Sequence, residues 1–392
     1  MATPTGTHPG LIDGPIYLDH NATTPIDPAV VAAMLPWLTT GFGNPSSGHR
    51  FGAAARAAVA DARRQVADLV GLRTGPGERA GRIVFTGSGS EADALAVRGV
   101  VLADPRGRRH VVTQVTEHPA VLAACAELRE RHGVSVTVLP VGPDGRVDPD
   151  RVAAAITPET ALVSIMHANN ETGVRQPVAD LARIARERGV PMHCDAAQSI
   201  GKVPVGIDDL GVDLLTVVGH KMYAPAGVAA LAIAPGVALR PLVGGGGQEG
   251  GLRAGTENVS FIVGLGRAAA LARSALAAGE TARLAARRDE LAARLHAALP
   301  GRVTINGAAA PRLPNTLNVR IAGAPGLLDR LPDLAASAGS ACHAGADAPS
   351  PVLTAMGLPA AAAAESIRLS VGRWTTPAEI ERAAGLIVAA AG

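Results

Sequence analysis

Asp213-Leu-Leu-Thr-Val-Val-Gly-His220-Lys221-Met-Tyr-Ala-Pro225 is a short apolar run that ends on a lysine. A run of this kind reads as a buried strand, and the Gly-His that follows breaks it. A lysine just beyond a strand end can be held in a dry pocket. There its pKa falls, and the amine becomes able to form a Schiff base. Upstream, Asp195-Ala-Ala-Gln198 follows His193-Cys194 and places a carboxylate at a second strand end. A His-Lys pair alone carries little, because most lysines are solvated surface groups.

The surrounding pattern is an alternation of strands and helices. Residues 49–70 form an amphipathic helix, with Phe51, Ala55, Val59, Ala62, Val66 and Leu69 at helical spacing and Gly71 as its stop. Arg82-Ile-Val-Phe-Thr86 is a strand, Gly87-Ser88-Gly89 a loop, and Ser90-Glu91 opens a helix reaching about residue 103. Further strands are expected at 109–114, 134–139, 160–166, 191–194, 213–218 and 228–233, with helices near 119–132, 148–156 and 177–188. This order predicts an α/β fold with a mostly parallel sheet covered on both faces. Such sheets bind ligands at the carboxyl ends of their strands, and Ser90, Asp195 and Lys221 all fall there. From 241 to 255 the glycine-rich stretch reads as a long flexible loop. Alanine-rich helices follow at 258–276 and 279–298. Strands at 302–305, 315–321 and 366–370 and helices at 351–357 and 377–391 then make an α+β unit. The expected division is a large domain over 25–276 and a smaller one over 277–392, with 1–24 packing on the smaller.

Composition narrows the function classes. The chain has 392 residues, 47% of them hydrophobic, which suits an ordered protein with a large core. Aromatics are only 2%, so packing must rely on aliphatic side chains and close helix contacts. A net charge of +2 is too small to argue for direct nucleic-acid binding or a membrane surface. No stretch reads as long and apolar enough to span a bilayer, and the first ten residues lack the apolar core of a signal peptide. Cys125, Cys194 and Cys342 make no disulfide framework, so a cytoplasmic location is expected. Metal binding is not expected, since no Cys-x-x-Cys or His-Glu-x-x-His spacing occurs.

Several segments bear on chemistry. Gly87-Ser88-Gly89-Ser90-Glu91 fits either a phosphate cradle at a helix N-terminus or a simple N-cap made by Ser90. Asp195 suits the ring nitrogen of pyridoxal phosphate, which it would keep protonated as an electron sink; the other reading is a loop cap. Gln198 suits a donor to the ring phenolate oxygen, or an exposed polar residue. His118, in Glu117-His118-Pro119, suits stacking and proton transfer, or a structural role. Asn169-Asn170-Glu171-Thr172-Gly173 is a turn by composition. Arg368 suits a carboxylate. Cys342 lies among small, turn-prone residues beside His343, which suits a reactive thiol or an incidental free cysteine, whereas Cys125 reads as core and Cys194 points to the strand face opposite Asp195.

Taken together these segments resemble a cysteine desulfurase of the pyridoxal-phosphate-dependent class V aminotransferase fold. The resemblance rests on Tyr17-Leu-Asp-His-Asn21-Ala-Thr-Thr24, Gly43-Asn-Pro-Ser-Ser47, Glu117-His118, Asn169-Asn170-Glu171, Asp195-Ala-Ala-Gln198, His220-Lys221, Gly255-Thr256-Glu257-Asn258, Gly339-Ser-Ala-Cys342 and Ser366-Ile-Arg368. It implies an aspartate-aminotransferase-like fold with a seven-stranded, mostly parallel sheet. It also makes Lys221 the Schiff-base lysine and stacks His118 on the ring. Asp195 and Gln198 would meet the ring nitrogen and phenolate, with Gly89, Ser90 and His220 at the phosphate. Thr256 would reach the phosphate of a partner subunit in a homodimer. Asn170 and Arg368 would hold the carboxylate of L-cysteine. Cys342 would take the sulfur as a persulfide and pass it to an acceptor protein, as in the branch whose mobile cysteine sits in a long loop. Alanine would be the other product.

Three departures from the family pattern stand out. Val218 replaces the usual serine two residues before His220, Gly89-Ser90 stands for the usual Ala-Thr, and Ala224 and Ala226 replace glycine and lysine. Two other functions suit the same residues. One is a related lyase acting on selenocysteine, cystine or a modified cysteine. The other is a non-catalytic scaffold that binds acceptor proteins.

Overall fold

The computed structural model describes residues 8–75, 80–338 and 349–392. Twelve strands are present among them: β1 Ile16–Tyr17, β2 Arg82–Thr86, β3 His110–Gln114, β4 Ser135–Leu139, β5 Thr160–Ser164, β6 Met192–Asp195, β7 Leu214–Val218, β8 Ala229–Ile233, β9 Val303–Ile305, β10 Thr316–Ile321, β11 Leu334–Ala335 and β12 Ser366–Ser370. Seven of them form one sheet in the order β2-β8-β7-β6-β5-β3-β4. Only β8 runs antiparallel to its neighbours, so the sheet is mostly parallel, as the alternation implies.

β7 is buried at every position, which is why its sequence is a continuous apolar run rather than an alternating one. One face of the sheet carries the helices Gly89–Ala103 and Pro119–His132, whose Leu95, Val100, Val121 and Leu128 share a core with Val84, Val111 and Leu214. The other face packs Val112, Val163, Cys194, Leu215 and Val217 against residues such as Val178, Leu181 and Leu265. A separate cluster joins β1, the helices Glu280–Ala298 and Pro377–Ala391 and the three-stranded sheet β12-β10-β9 through Leu18, Leu291, Val319, Leu369 and Ile387. β1 pairs with β11, and the His20 amide donates to the Ser370 carbonyl.

Close helix packing does compensate for scarce aromatics. The helix Val259–Ala277 lies against Pro28–Thr39 and Arg50–Leu69. A Cβ at Gly266 would sit 2.5 Å from Ala62 Cα, and one at Gly264 would sit 2.8 Å from Met34 Sδ. One sequence expectation fails here. Val259–Ala277 is long and apolar enough to cross a membrane. Its apolar residues instead face these two helices, with Ile262, Leu265, Ala269 and Ala272 buried.

The stretch from 241 to 255 is also less free than its glycines imply. Glu249 adopts φ +50° and buries its side chain, accepting from both Arg63 guanidinium nitrogens at 2.7 and 2.8 Å and from the Phe85 amide at 3.0 Å. A charge-assisted bidentate pair of this kind ties the loop to the sheet edge.

Candidate active site

Gly219 follows β7 so tightly that a Cβ on it would lie 2.8 Å from the Val228 carbonyl oxygen. The chain therefore turns through a single 3-10 turn, Gly219–Lys221. The segment after β1 clamps this turn. The Thr24 amide and hydroxyl both donate to the His220 carbonyl, at 2.9 and 3.0 Å, and the hydroxyl accepts from the Tyr223 amide at 2.8 Å. So held, Lys221 Nζ donates to the Asn21 and Ala22 carbonyls at 2.6 Å each. His220 Nδ1 lies 3.1 Å from Thr23 Oγ1, and burial, with Lys221 adding to it, pushes this imidazole down to about 4.

A cavity of about 340 Å³ opens at the carboxyl ends of the parallel strands, a size suited to a cofactor-scale ligand. It gathers Gly89, Ser90, His118, Asn170, Asp195, Gln198, Val218, His220, Lys221 and Arg368. Asp195 ends β6 and is buried, its Oδ1 accepting from the Ala197 amide at 2.8 Å. Burial raises its carboxyl above the ordinary range, while the Ala197 amide, His118 and Lys221 pull it back. A desolvated carboxylate of this kind has most to gain from a cationic partner.

His118 caps the helix Pro119–His132, and its Nδ1 accepts from the Ala120 amide at 3.2 Å. The neutral ring then carries its proton on Nε2. Burial lowers its pKa; Asp195 opposes this and Lys221 adds to it. Gln198 is buried, not exposed, and its Nε2 donates to the Asn21 carbonyl at 3.0 Å. Arg368 is 1% exposed. Its Nη2 donates to Asp19 Oδ1 at 2.6 Å and to Ser337 Oγ at 2.9 Å, and its Nη1 to the Asn170 carbonyl at 3.2 Å. Its Nε finds no hydrogen-bond partner among the described residues.

The N-cap of the helix Gly89–Ala103 is Ser88, whose Oγ accepts from the Glu91 amide at 3.1 Å. Ser90 therefore does not cap, contrary to the simple reading, and sits inside the first turn at the cavity. Thr256 is exposed and is not among the residues lining this cavity. Cys342 and His343 lie outside the described residues.

Three functional candidates were not singled out from sequence. The Asn21 carbonyl is shared by Lys221 and Gln198. Asp93 lines the cavity with a carboxyl raised well above its ordinary range by burial and then by Asp195. Lys202 touches Gln198 from behind. For Lys202 a signal existed: the chain contains only two lysines, 202 and 221, against 34 arginines.

Comparison with known proteins agrees with this arrangement. The aminotransferase class-V family model matches residues 16–383. The chain belongs to that family. A cysteine desulfurase IscS of Anaeromyxobacter dehalogenans is 47% identical over 374 residues, covering 94% of this chain and 90% of the relative. A cysteine desulfurase of Cereibacter sphaeroides is 45% identical, covering 94% and 93%. Among solved structures, a NifS-like protein superposes with TM-score 0.84 at 33% identity, covering 96% of this chain and 98% of that one. DndA from Streptomyces lividans gives 0.72 at 35%, covering 89% and 97%. Members of the class-V family depend on pyridoxal phosphate, and the fold found here is theirs.

Proposed function

We propose that the protein is a cysteine desulfurase that converts L-cysteine to L-alanine and passes the sulfur, through Cys342, to an acceptor protein. The observation that carries this reading is the convergence of Lys221, Asp195, His118, Gln198 and Arg368 on one buried cavity. The relatives named cysteine desulfurase support the substrate.

The residues present fit pyridoxal phosphate. Lys221 would bind it covalently, with Asp195 at the ring nitrogen, His118 on the ring face, Gln198 at the phenolate, and Gly89, Ser90 and His220 at the phosphate. When bound, the cofactor supplies an electron sink that stabilises negative charge at the substrate Cα. Asp195, as a carboxylate beside the ring nitrogen, would keep that sink cationic. Lys221 Nζ, anchored by two backbone carbonyls, is placed to take and return a proton at Cα. His118 would donate its Nε2–H to the substrate sulfur as a hydrogen bond that favours the thiolate. Asn170 and Arg368, which both line the cavity, would orient the substrate carboxylate.

Cys342 would receive the sulfur. The described residues on either side of its segment both join the site: Ser337 accepts from Arg368, and Ser350 donates to Glu171, next to Asn170. Cys342 lies five residues beyond Ser337. An extended chain spans at most about 17 Å over that distance. The proposal needs the thiol to come to the cavity, and this length of chain allows it. Thr256, exposed outside its own cavity, would serve the phosphate of a second subunit. An exposed apolar stripe of Val31, Leu35 and Leu38, extended by Phe42 stacked on Phe51, would face that subunit in a homodimer. The cytosol is the compartment in which Cys125 and Cys194, both free and buried, stay reduced.

The test is incubation of the purified protein with pyridoxal phosphate and L-cysteine, with alanine and sulfide measured. With a thiol reductant present to release the Cys342 persulfide as sulfide, equimolar alanine and sulfide, with Cys342→Ala losing turnover, is the expected result. Full turnover in Cys342→Ala, or preference for selenocysteine or cystine, contradicts it.

A further inference from the structure

We infer that Lys202 is a positioning residue for the site: it fixes which end of the Gln198 amide faces the cofactor pocket. This rests on the proposed reading of that pocket as a pyridoxal phosphate site. Lys202 is 5% exposed and its Nζ donates to Gln198 O at 2.9 Å and to Gln198 Oε1 at 3.3 Å. Its backbone is held as well, since Thr281 Oγ1 donates to the Lys202 carbonyl at 2.8 Å.

An amide presents a donor at one end and an acceptor at the other, and the two orientations are nearly equal in shape. Charged or neutral, the Lys202 amine carries at least two N–H groups, enough for Gln198 O and Oε1 together, and so it favours the amide's oxygen end on its side. With Lys202 against Oε1, the Gln198 Nε2 is turned towards the Asn21 carbonyl, the same carbonyl that Lys221 holds. The N–H end is then the one available to an anionic ring oxygen. Without Lys202 the carbonyl end can turn to the same place and repel that oxygen.

The residue type supports the assignment. In a chain with 34 arginines and two lysines, both lysines meet at one site, joined through Gln198 and Asn21. Arginine suits surface ion pairs as well as lysine does. A compact ammonium that fits a buried gap, and yields its proton when desolvated, is what arginine cannot supply. Burial, with Lys221 and Arg368 adding to it, brings the Lys202 amine down to about 7.

The test is a pH titration of the visible band of the holoenzyme for the parent, Lys202→Met, Gln198→Met and the double variant. Losing a donor to the anionic ring oxygen raises the basicity of the lysine–cofactor bond. Gln198→Met is therefore expected to move the midpoint up by about one pH unit. Lys202→Met is expected to move it the same way, and the double variant no further than Gln198→Met, because one residue acts through the other. Cofactor affinity, read by fluorescence, should fall in the same order. A Lys202→Met midpoint equal to the parent's, or additive shifts, overturns the inference. If Lys202→Met does not fold, Lys202→Gln makes the same comparison: its shorter neutral side chain does not reach Gln198 Oε1, so an unchanged midpoint also overturns it. A parent that forms no band at all overturns the cofactor reading along with it; a shift in Gln198→Met without one in the Lys202 variants overturns this inference alone.

Discussion

Val218 fills the space above Gly89: a Cβ at position 89 would lie 2.5 Å from Val218 Cγ2. Two of the three departures from the expected family pattern, Val218 at the end of β7 and Gly89 at the start of the facing helix, therefore lie against each other.

Gly89→Ala alone is expected to lower cofactor affinity at least tenfold, because neither the strand end nor the first helical turn can yield easily. Val218→Ser alone should bind the cofactor about tenfold more tightly, by adding one hydrogen bond to a charged phosphate. In the double variant the cost of Gly89→Ala should largely vanish. Affinity by fluorescence titration and the melting temperature with and without cofactor measure all three. Equal costs of Gly89→Ala in the two backgrounds would show that the pair is not coupled.

Arg368→Lys should raise the KM for L-cysteine by about 10- to 100-fold with a smaller change in kcat, since a point charge replaces a planar fork. The charge partner of Asp19 is retained in this variant, so stability should fall less than in Arg368→Ala. Steady-state kinetics and thermal melts separate the two effects. An unchanged KM removes Arg368 from carboxylate binding.

Glu117 gives a pH-dependent stability with a definite sign. Its carboxyl accepts from the Met166 amide and from Gln114 Nε2, both at 2.7–2.8 Å, and its Oε2 has no partner. Burial raises its pKa from 4.5 to about 8. Between these values the folded chain holds a proton the unfolded chain has released, so this group's contribution is full below 4.5 and is lost as pH rises to 8. Glu117→Gln mimics the protonated acid at every pH. Relative to the parent it should gain stability from pH 4.5 to 8, by about 3–5 kcal/mol. Denaturant unfolding of the apo forms at both pH values checks this; a difference that stays flat, or shrinks, contradicts the protonated Glu117.

Much of the site was legible because strand ends punctuate the sequence. β6 and β7 are buried at every position, as strands covered on both faces are, with their polar His193 and Thr216 bonded to each other, and Asp195 and Lys221 mark the edge where ligands bind. What escaped is tertiary. β1 and β11 are two residues each and exist only through pairing with one another across more than 300 positions. The helix Pro28–Thr39 has Pro36 inside it, which reads as a break. Ser88 and Ser90 are equivalent by composition, and only the backbone shows which one caps. The partner of Glu249, Arg63, lies on a distant helix, so their ion pair leaves no local trace in the sequence. The place of Lys202 depends on its contact with Gln198 in the cavity wall, which only the fold shows.

The most direct measurement is borohydride reduction of the protein with pyridoxal phosphate, followed by peptide mapping. With only two lysines in the chain, the site of attachment is a choice between two peptides. The expected result is a pyridoxyl group on Lys221 and none on Lys202; label on Lys202, or on neither, would contradict the account.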